Sequence, residues 1–285
     1  MARTRRVFIL GNPEKPEVVR VLDDLRSFAS SQALVVGSSL GTDGLAAVKA
    51  RAERILVLGG DGTLIGVARS LGSDAIPLIG VNVGKLGFLA EFSIDELKSG
   101  FDRALHDDTL VSRRTVLEAT VHRNGSVCNT SRAINDCVIQ AGPPFRMIRL
   151  GITINGQDLT EVAGDGLIVC TPGGSTAHNL SAGGPILAPD VDAIILTSMN
   201  PHSLTHKPLV IGREAVIDIH ALAVNPGTTA IIDGQVSYPL QVDDRVTIRR
   251  FETDWRTVRN PIHPDWHKLV SKLHWGRPPN FRQPE

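Results

Sequence analysis

The stretch "RILVLGGDGTLIGVAR" (residues 54–69) decides how the first half of the chain folds. Its apolar run, residues 55–58, is followed at once by two glycines, and a helix-like pattern begins at Gly62. Short apolar runs bounded by glycine are typical of buried strands, whereas the later residues have helical spacing. The stretch therefore predicts a strand that turns directly into a helix, with one carboxylate, Asp61, in the turn.

The same alternation of strand and helix patterns covers roughly the first hundred residues. Apolar runs predict strands at 7–10, 33–36, 54–58 and 76–82, and helical patterns occur at 16–30, 43–52 and 62–71. This alternation predicts a parallel sheet with helices on its faces, in which ligands bind beyond the carboxyl ends of the strands. Ser93 with Glu96 forms a capping-box pattern, which predicts a closing helix over 94–106.

The periodicity changes near residue 108, from alternating elements to short strands. Apolar and polar residues alternate around Asn124-Gly125 and Asn155-Gly156, pairs that favour type I′ hairpins. We therefore predict an α/β domain over residues 1–108, a mainly β domain over 109–255, and a C-terminal helix and tail over 256–285.

Composition excludes several function classes. Lysine plus arginine number 30 and so do aspartate plus glutamate, which leaves no basic field for nucleic acid. The three cysteines (Cys128, Cys137 and Cys170) form no CxxC pair, which favours a reducing compartment. No apolar run approaches the ~20 residues of a membrane span, and the first ten residues do not resemble a signal peptide. We expect a cytoplasmic protein with no nucleic-acid or membrane partner.

The glycine-rich turn at residues 59–62 suits a phosphate. Backbone amides can approach an anion there, and the following helix adds its N-terminal partial positive charge. Asp61 would repel a phosphate, so it suits a group that binds magnesium or takes a proton from a hydroxyl attacking a phosphoryl group. The alternative is a tight turn in which Asp61 only caps the helix.

A second glycine-rich stretch, "GDGLIVCTPGGSTAHNLSAGGPIL" (164–187), follows a predicted strand at 167–169. It combines two Gly-Gly pairs and several small hydroxyl residues with interleaved apolar side chains, unlike a surface linker. The pattern favours backbone packed closely around a flat ligand, with a glycine-rich bend of a β domain as the alternative.

Together the two stretches resemble the NAD kinase family, the ATP- or polyphosphate-dependent enzymes that make NADP from NAD. Residues 59–63 match its GGDGT motif, and residues 171–186 match its second signature almost letter for letter. Further similar segments are "VNVGKLGFLAEF" (81–92), "INDCVI" (134–139), "NPHSLTHKPLV" (200–210) and "DGQ" (233–235). GGDGT alone also occurs in diacylglycerol kinases and phosphofructokinases, so the second signature narrows the match.

The resemblance implies an NAD kinase-like fold, a Rossmann-like α/β domain followed by a mainly β domain. It implies that Asp61 takes the proton from the adenosine 2′-hydroxyl of NAD, with ATP as donor and Mg²⁺ or another divalent metal neutralising charge; it assigns no metal ligands. The implied donor-phosphate residues are Gly59, Gly60, Gly62 and Thr63. The implied NAD-binding residues are Asp61, Gly62, Asn135, Asp136, Arg146, Asp165, Thr176, Ala177, His178, Ser181 and Gln235. NAD and ATP are the implied partners, and the family's homodimers or homotetramers are the implied assembly.

Three positions depart from the family pattern. Asp136 stands where Glu is usual, His178 where Tyr is usual, and Gly173 where Thr or Ser is usual. We expect these departures to change affinity or substrate preference and not catalysis. Two alternative functions remain open at this point: a non-catalytic dinucleotide sensor, and a lipid or sugar kinase that shares GGDGT.

Overall fold

The computed structural model describes residues 4–84, 87–264 and 266–276, and their strands form three six-stranded sheets. The helices are α1 (Pro16–Ser30), α2 (Leu45–Lys49), α3 (Asp61–Leu71), α4 (Ile94–His106), α5 (His178–Ser181) and α6 (His267–Leu273). The strands are β1 (Arg6–Gly11), β2 (Leu34–Leu40), β3 (Arg54–Gly59), β4 (Leu78–Asn82), β5 (Val111–Arg114), β6 (Leu117–Arg123), β7 (Ser126–Ala133), β8 (Asp136–Gln140), β9 (Ile148–Ile154), β10 (Gln157–Gly164), β11 (Gly166–Cys170), β12 (Ala193–Met199), β13 (Leu209–Gly212), β14 (Ile217–Ala223), β15 (Thr229–Ile232), β16 (Val236–Pro239), β17 (Arg245–Arg250) and β18 (Trp255–Val258).

The first sheet has the order β2-β1-β3-β4-β18-β5. Neighbouring strands from β2 to β18 run parallel, and β5 is antiparallel at the edge. Apolar clusters cover both faces, with α1 and α4 on one and α2 and α3 on the other. The predicted parallel sheet between helices is therefore confirmed, although β5 and β18 join it from beyond residue 108.

The predicted helices of this half are present, with different ends in two cases. α1 has its predicted bounds, and α4 begins with the predicted reciprocal capping box of Ser93 and Glu96. α3 begins one residue earlier than predicted, at Asp61. The prediction of a helix over 43–52 was too long, because Arg51 adopts a left-handed φ of 55° that ends the helix.

The second and third sheets form a sandwich that contains the largest apolar cluster. Their strand orders are β10-β9-β14-β17-β6-β7 and β13-β12-β11-β8-β15-β16. Alternate residues of β6, β9, β14 and β17 point inward and meet the buried side chains of β8, β11, β12 and β15. The predicted hairpins at Asn124-Gly125 and Asn155-Gly156 are confirmed, with positive φ at all four residues.

The glycine-rich segment 173–187 lies on the outer face of the third sheet. Ala182 and Leu187 pack against a small buried cluster of Val138, Ile168, Cys170 and Ile195. The buried Asn179 holds the segment together, because its amide donates to the Ser175 and Pro185 carbonyls and its Oδ1 accepts from Thr197. The segment is thus fixed above β8 and β11 by both apolar and polar contacts.

The C-terminal helix α6 contacts the first half of the chain, where Lys268 bonds to Phe88 and Glu91. No helix among residues 4–84, 87–264 and 266–276 is long and apolar enough to cross a membrane.

Candidate active site

Asp61 is the first residue of α3, at the carboxyl end of β3. Its partly exposed carboxylate accepts hydrogen bonds from the N–H groups of Phe88 (2.7 Å), Leu89 (2.9 Å) and Ala90 (3.3 Å). A Cβ at position 87 would lie 2.1 Å from Asp61 Oδ1, so only the glycine found there allows this approach. A carboxylate has about four lone-pair positions, so the three amides fix its orientation and leave capacity for one more donor.

The capping alternative for Asp61 is wrong. The N-cap of α3 is Gly60, which provides no side-chain cap, and the Asp61 carboxylate bonds to the segment 88–90 instead of to its own helix. The N-terminus of α3 therefore has no side-chain cap, and free amides at a helix N-terminus are the groups that commonly bind anions.

Two residues that the sequence analysis missed lie beside this turn. Lys15 places its Nζ 3.3 Å from where a Cβ of Gly60 would be, and Asn12 donates to the hydroxyl of the buried Thr63 (3.3 Å). Both follow β1, which pairs in parallel with β3, so the two turns meet at one edge of the sheet. The sequence could have indicated both residues, because "GNPEKPE" (11–17) follows the first predicted strand and so lies at the carboxyl edge of the sheet.

A cavity of about 370 Å³ lies on the outer face of the third sheet. It is lined by Asn135, Asp136, Val138, Gln140, Ala177, His178, Ile231, Asp233 and Gly234. The buried Oδ1 atom of Asn135 has no hydrogen-bond partner among residues 4–84, 87–264 and 266–276. Because buried polar atoms are nearly always bonded, this oxygen is available to a hydrogen-bond donor that enters the cavity.

A larger concave surface of about 590 Å³ lies on the second sheet but is a weaker candidate. Its charged side chains satisfy one another: Arg249 bonds to Glu118 (2.8 Å), and Arg245 lies 3.7 Å from Asp218. The smaller cavity, with its unpartnered amide oxygen, has more unused binding capacity.

Close backbone contact brings the second signature onto the "INDCVI" segment. The N–H of Thr171 donates to the Asn135 carbonyl and its hydroxyl to the Ile134 carbonyl, both at 2.8 Å. A Cβ on Gly174 would lie 2.2 Å from the Asn135 carbonyl oxygen. Glycine is required at 174 because the two backbones pass in contact.

Asp233 fixes the segment 134–136 from the other side. Its buried carboxylate accepts the N–H groups of Ile134 (3.0 Å), Asn135 (2.7 Å) and Asp136 (3.1 Å). Burial raises the pKa of Asp136 to about 7, and the nearby charge of Asp233 adds to this effect. Burial also raises the pKa of Asp233, opposed by its three backbone hydrogen bonds and by the charge of Arg69.

Three side chains connect this cavity to the glycine-rich turn at residues 59–62, the predicted phosphate turn. Arg69, on α3, lies 3.6 Å from Asp233 and also donates to Gln235, and Gln235 donates to the Gly62 carbonyl at 3.1 Å. The sequence analysis selected Gln235 but missed Arg69 and Asp233. The "DGQ" segment that indicated Gln235 also contains Asp233, so Asp233 could have been predicted. Nothing in the sequence indicated Arg69, because its partners are far along the chain.

The other residues predicted from the second signature lie in one segment. Ala177 and His178 line the cavity. Thr176 bonds to the Gly173 carbonyl at 3.5 Å, and Ser181 is exposed at the end of α5.

Seven predicted NAD-binding residues do not line the cavity: Asp61, Gly62, Arg146, Asp165, Thr176, Ser181 and Gln235. Arg146 is exposed, with its carbonyl accepting from Asn225 (2.5 Å). The carboxylate of Asp165 accepts from Asn200 (2.8 Å). Of the segment 81–92 that resembles the family, residues 85 and 86 lie outside the described residues.

Comparisons with known proteins find relatives over most of the chain. A model of the ATP-NAD kinase N-terminal domain matches residues 8–109, and one of the C-terminal domain matches residues 134–260. The chain is 40% identical to the NAD kinase of Geotalea daltonii, over 79% of this chain and 80% of that protein. It is 34% identical to that of Rhodopirellula baltica, over 96% and 88%.

Solved structures are similar as well. Yeast NADH kinase complexed with NADH superposes with a TM-score of 0.82 at 25% identity, covering 99% of this chain and 90% of the yeast chain. An NAD kinase from Archaeoglobus fulgidus in complex with ATP has the same fold, with a TM-score of 0.73 at 23% identity, covering 94% and 98%.

Proposed function

Because the chain belongs to the ATP-NAD kinase family and phosphorylates NAD with ATP to give NADP, we propose that Asp61 receives the proton of the adenosine 2′-hydroxyl. The observation that supports this role most directly is the orientation of its carboxylate by the amides of Phe88, Leu89 and Ala90. The contacts between Gln235 and Gly62 and between Arg69 and Asp233 link that carboxylate to the cavity.

In this proposal the donor phosphates lie at the N-terminus of α3, beside the ammonium of Lys15. The 2′-oxygen attacks the terminal phosphorus, the bond from that phosphorus to the ADP oxygen breaks, and the hydroxyl proton passes to Asp61. In a loose phosphoryl transition state the proton leaves late, so the position of the carboxylate matters more than its basicity. Rigid amide contacts supply that positioning.

Asn135 and Asp136 hold the ribose hydroxyls in this proposal. The Oδ1 of Asn135 accepts a hydrogen bond from one ribose hydroxyl, and Asp136 bonds to the neighbouring hydroxyl. Two adjacent polar groups on a fixed segment hold a vicinal diol in one orientation, which places the 2′-oxygen for in-line attack. Ala177 and His178 line the same cavity, where His178 offers an imidazole face to a base.

We propose that Mg²⁺ enters with ATP. Within the part of the chain that the structure describes, no three His, Cys, Asp or Glu side chains cluster as metal ligands. Mg²⁺ is commonly bound through substrate phosphates, waters and one or two carboxylates, so MgATP fits this site as a substrate. Polyphosphate as an alternative donor belongs to the same proposal.

A homodimer or homotetramer in the cytoplasm completes the proposal. The edge strand β13 exposes Leu209 and Val210, and the preceding loop exposes Leu204 at 94%. Exposed apolar side chains on a sheet edge favour association. The sensor and the lipid or sugar kinase gain no support, because the family models and the relatives compared are NAD kinases.

The proposal is tested with the purified chain, NAD, ATP and Mg²⁺ and a readout specific for NADP. We expect NADP to form only when all three are present, and a panel with polyphosphate and NADH then defines donor and acceptor range. NAD binding without formation of NADP would favour the sensor. Phosphorylation of a lipid or a sugar would favour the lipid or sugar kinase.

A further inference from the structure

The C-terminal helix α6 reaches the segment that holds Asp61. Lys268 donates from Nζ to the Phe88 carbonyl (2.6 Å) and pairs with Glu91 Oε1 (2.7 Å). The side chains of Lys268 and Glu91 are 18% and 10% exposed. This ion pair is mostly shielded from water, unlike the exposed pairs that contribute little.

One peptide group connects Lys268 to the carboxylate of Asp61. The carbonyl of Phe88 accepts from Lys268, and the N–H of the same peptide, which belongs to Leu89, donates to Asp61 Oδ1 (2.9 Å). A cation on the carbonyl polarises the peptide and strengthens its N–H as a donor, as in other hydrogen-bond chains. The ammonium therefore acts on the carboxylate through two bonds in series.

Other side chains from the same C-terminal region fasten the neighbouring backbone. Asn260 donates to the Glu91 carbonyl (3.1 Å), and His263 bonds to Glu96 (2.9 Å). These contacts secure the segment after position 90. Lys268 differs from them because its ammonium group donates to the peptide group whose N–H donates to Asp61.

We propose that Lys268 is a positioning residue for phosphoryl transfer, which fixes the segment 88–91 and so orients Asp61. This inference rests on the proposed role of Asp61. Lys268 contacts neither the phosphate turn nor the cavity in the described structure, so its loss should change turnover and leave substrate affinity nearly unchanged.

The first test measures kcat and KM of the full chain carrying Lys268→Met. Losing a hydrogen bond from a charged donor predicts about a ten-fold lower kcat, with KM for NAD and ATP within about two-fold. Lys268→Arg, which can donate to both oxygens, should recover kcat to within about three-fold of the wild type. Lys49→Met, at an exposed lysine of α2, is the matched control and should change neither constant.

Two further readouts separate positioning from general destabilisation. In the Asp61→Asn background, Lys268→Met should lower kcat by less than a further factor of about two, because Lys268 acts through the contacts of Asp61. Hydrogen–deuterium exchange of the peptide containing residues 88–90 should be faster in Lys268→Met and unchanged in Lys49→Met. If Lys268→Met does not fold, Lys268→Gln takes its place with the same expected loss.

The positioning role would be overturned if Lys268→Met left kcat unchanged. It would also be overturned if Lys268→Met lowered kcat by the same factor in the wild type and in Asp61→Asn. That failure is distinct from failure of the proposed function. Near-normal turnover of Asp61→Asn would remove the role of Asp61, whereas unchanged kcat and exchange in Lys268→Met beside an inactive Asp61→Asn would remove only the role of Lys268.

Discussion

The glycine-rich turn at residues 59–62 and the cavity on the third sheet each contain a carboxylate, and the surroundings of the two carboxylates differ. Asp61 is partly exposed and accepts three backbone N–H groups. Asp136 is 4% exposed, lies close to the buried Asp233, and has its pKa raised to about 7. Three backbone N–H groups fix the orientation of the Asp61 carboxylate, whereas burial and the nearby charge of Asp233 raise the pKa of Asp136.

In the reaction proposed above, this difference means that the two regions are prepared for the substrate in different ways. The turn is complete before substrate arrives, because the orientation of Asp61 depends only on the protein. The cavity is incomplete, because Asn135 Oδ1 lacks a partner within the part of the chain that the structure describes, and because the surroundings of Asp136 disfavour its ionised form. Ligand hydroxyls would supply the missing hydrogen bonds. Substrate binding would therefore stabilise the polar groups that lack partners in the free protein.

The largest expected effect tests the turn. Asp61→Asn keeps the shape of the side chain but removes its capacity to take a proton, so kcat should fall by about 10²- to 10⁴-fold. NAD affinity, measured by calorimetry, should stay within a few-fold. Asp23→Asn, an exposed position on α1, serves as control. Near-normal turnover of Asp61→Asn would mean that another group takes the proton.

A smaller effect is expected where the cavity is assembled from two backbones. Gly174→Ala would place a Cβ 2.2 Å from the Asn135 carbonyl oxygen, so it should lower the free energy of unfolding by about 1–3 kcal/mol and raise KM for NAD. Gly212→Ala, whose Cβ would have no atom of the described residues within 4 Å, should change the free energy of unfolding by less than about 0.5 kcal/mol. Equal stability of both variants in urea unfolding would show that the contact relaxes without cost.

The third prediction concerns pH and the cavity. The folded chain binds the Asp136 proton more tightly than the unfolded chain, because burial raises the folded pKa from 3.8 to about 7. Its contribution to stability is therefore complete below about pH 4 and is lost as pH rises to about 7. Asp136→Asn stays neutral, so thermal unfolding should show it more stable than wild type at pH 8, by at most about 4 kcal/mol, and similar at pH 4.

The control for this prediction is Asp190→Asn, which changes an exposed carboxylate. Its stability difference from wild type should not vary with pH. If the Asp136→Asn difference were also constant between pH 4 and pH 8, Asp136 would not be the buried acid that the cavity geometry indicates.

The smallest expected effect concerns the wall of the cavity. His178 is exposed at the cavity rim, so His178→Tyr should leave the melting temperature unchanged. A larger aromatic face gains stacking area, and KM for NAD should fall about two- to three-fold. An increase in KM would indicate that the imidazole makes a specific hydrogen bond to the ligand.

Predictions based on local signals agreed with the structure. α1 begins with Pro16 at its first turn, and α4 begins with a capping box, and both helices have their predicted ends. The hairpins at Asn124-Gly125 and Asn155-Gly156 were predicted for the same reason, since the turn residues themselves specify the backbone. The helix over 43–52 was predicted too long because periodicity does not reveal a left-handed residue such as Arg51.

Contacts between distant residues were not predictable in this way. β18 enters the first sheet between β4 and β5 from the far end of the chain, and no local pattern at residues 255–258 indicates that place. The amides that bind Asp61 lie 27 to 29 residues away, and Arg69 meets Gln235 across 166 residues. Such partners carry no periodicity of their own, because backbone amides and single polar side chains occur everywhere.

The sequence alone determined the order and type of the main elements, the glycine turns and the family resemblance, because these depend on residues close together in the chain. Tertiary structure decided the surroundings of the two carboxylates. The amides of residues 88–90 donate to Asp61, and burial near Asp233 raises the pKa of Asp136. The free energy of a charge depends on the groups that fold around it, and packing of the whole chain chooses those groups.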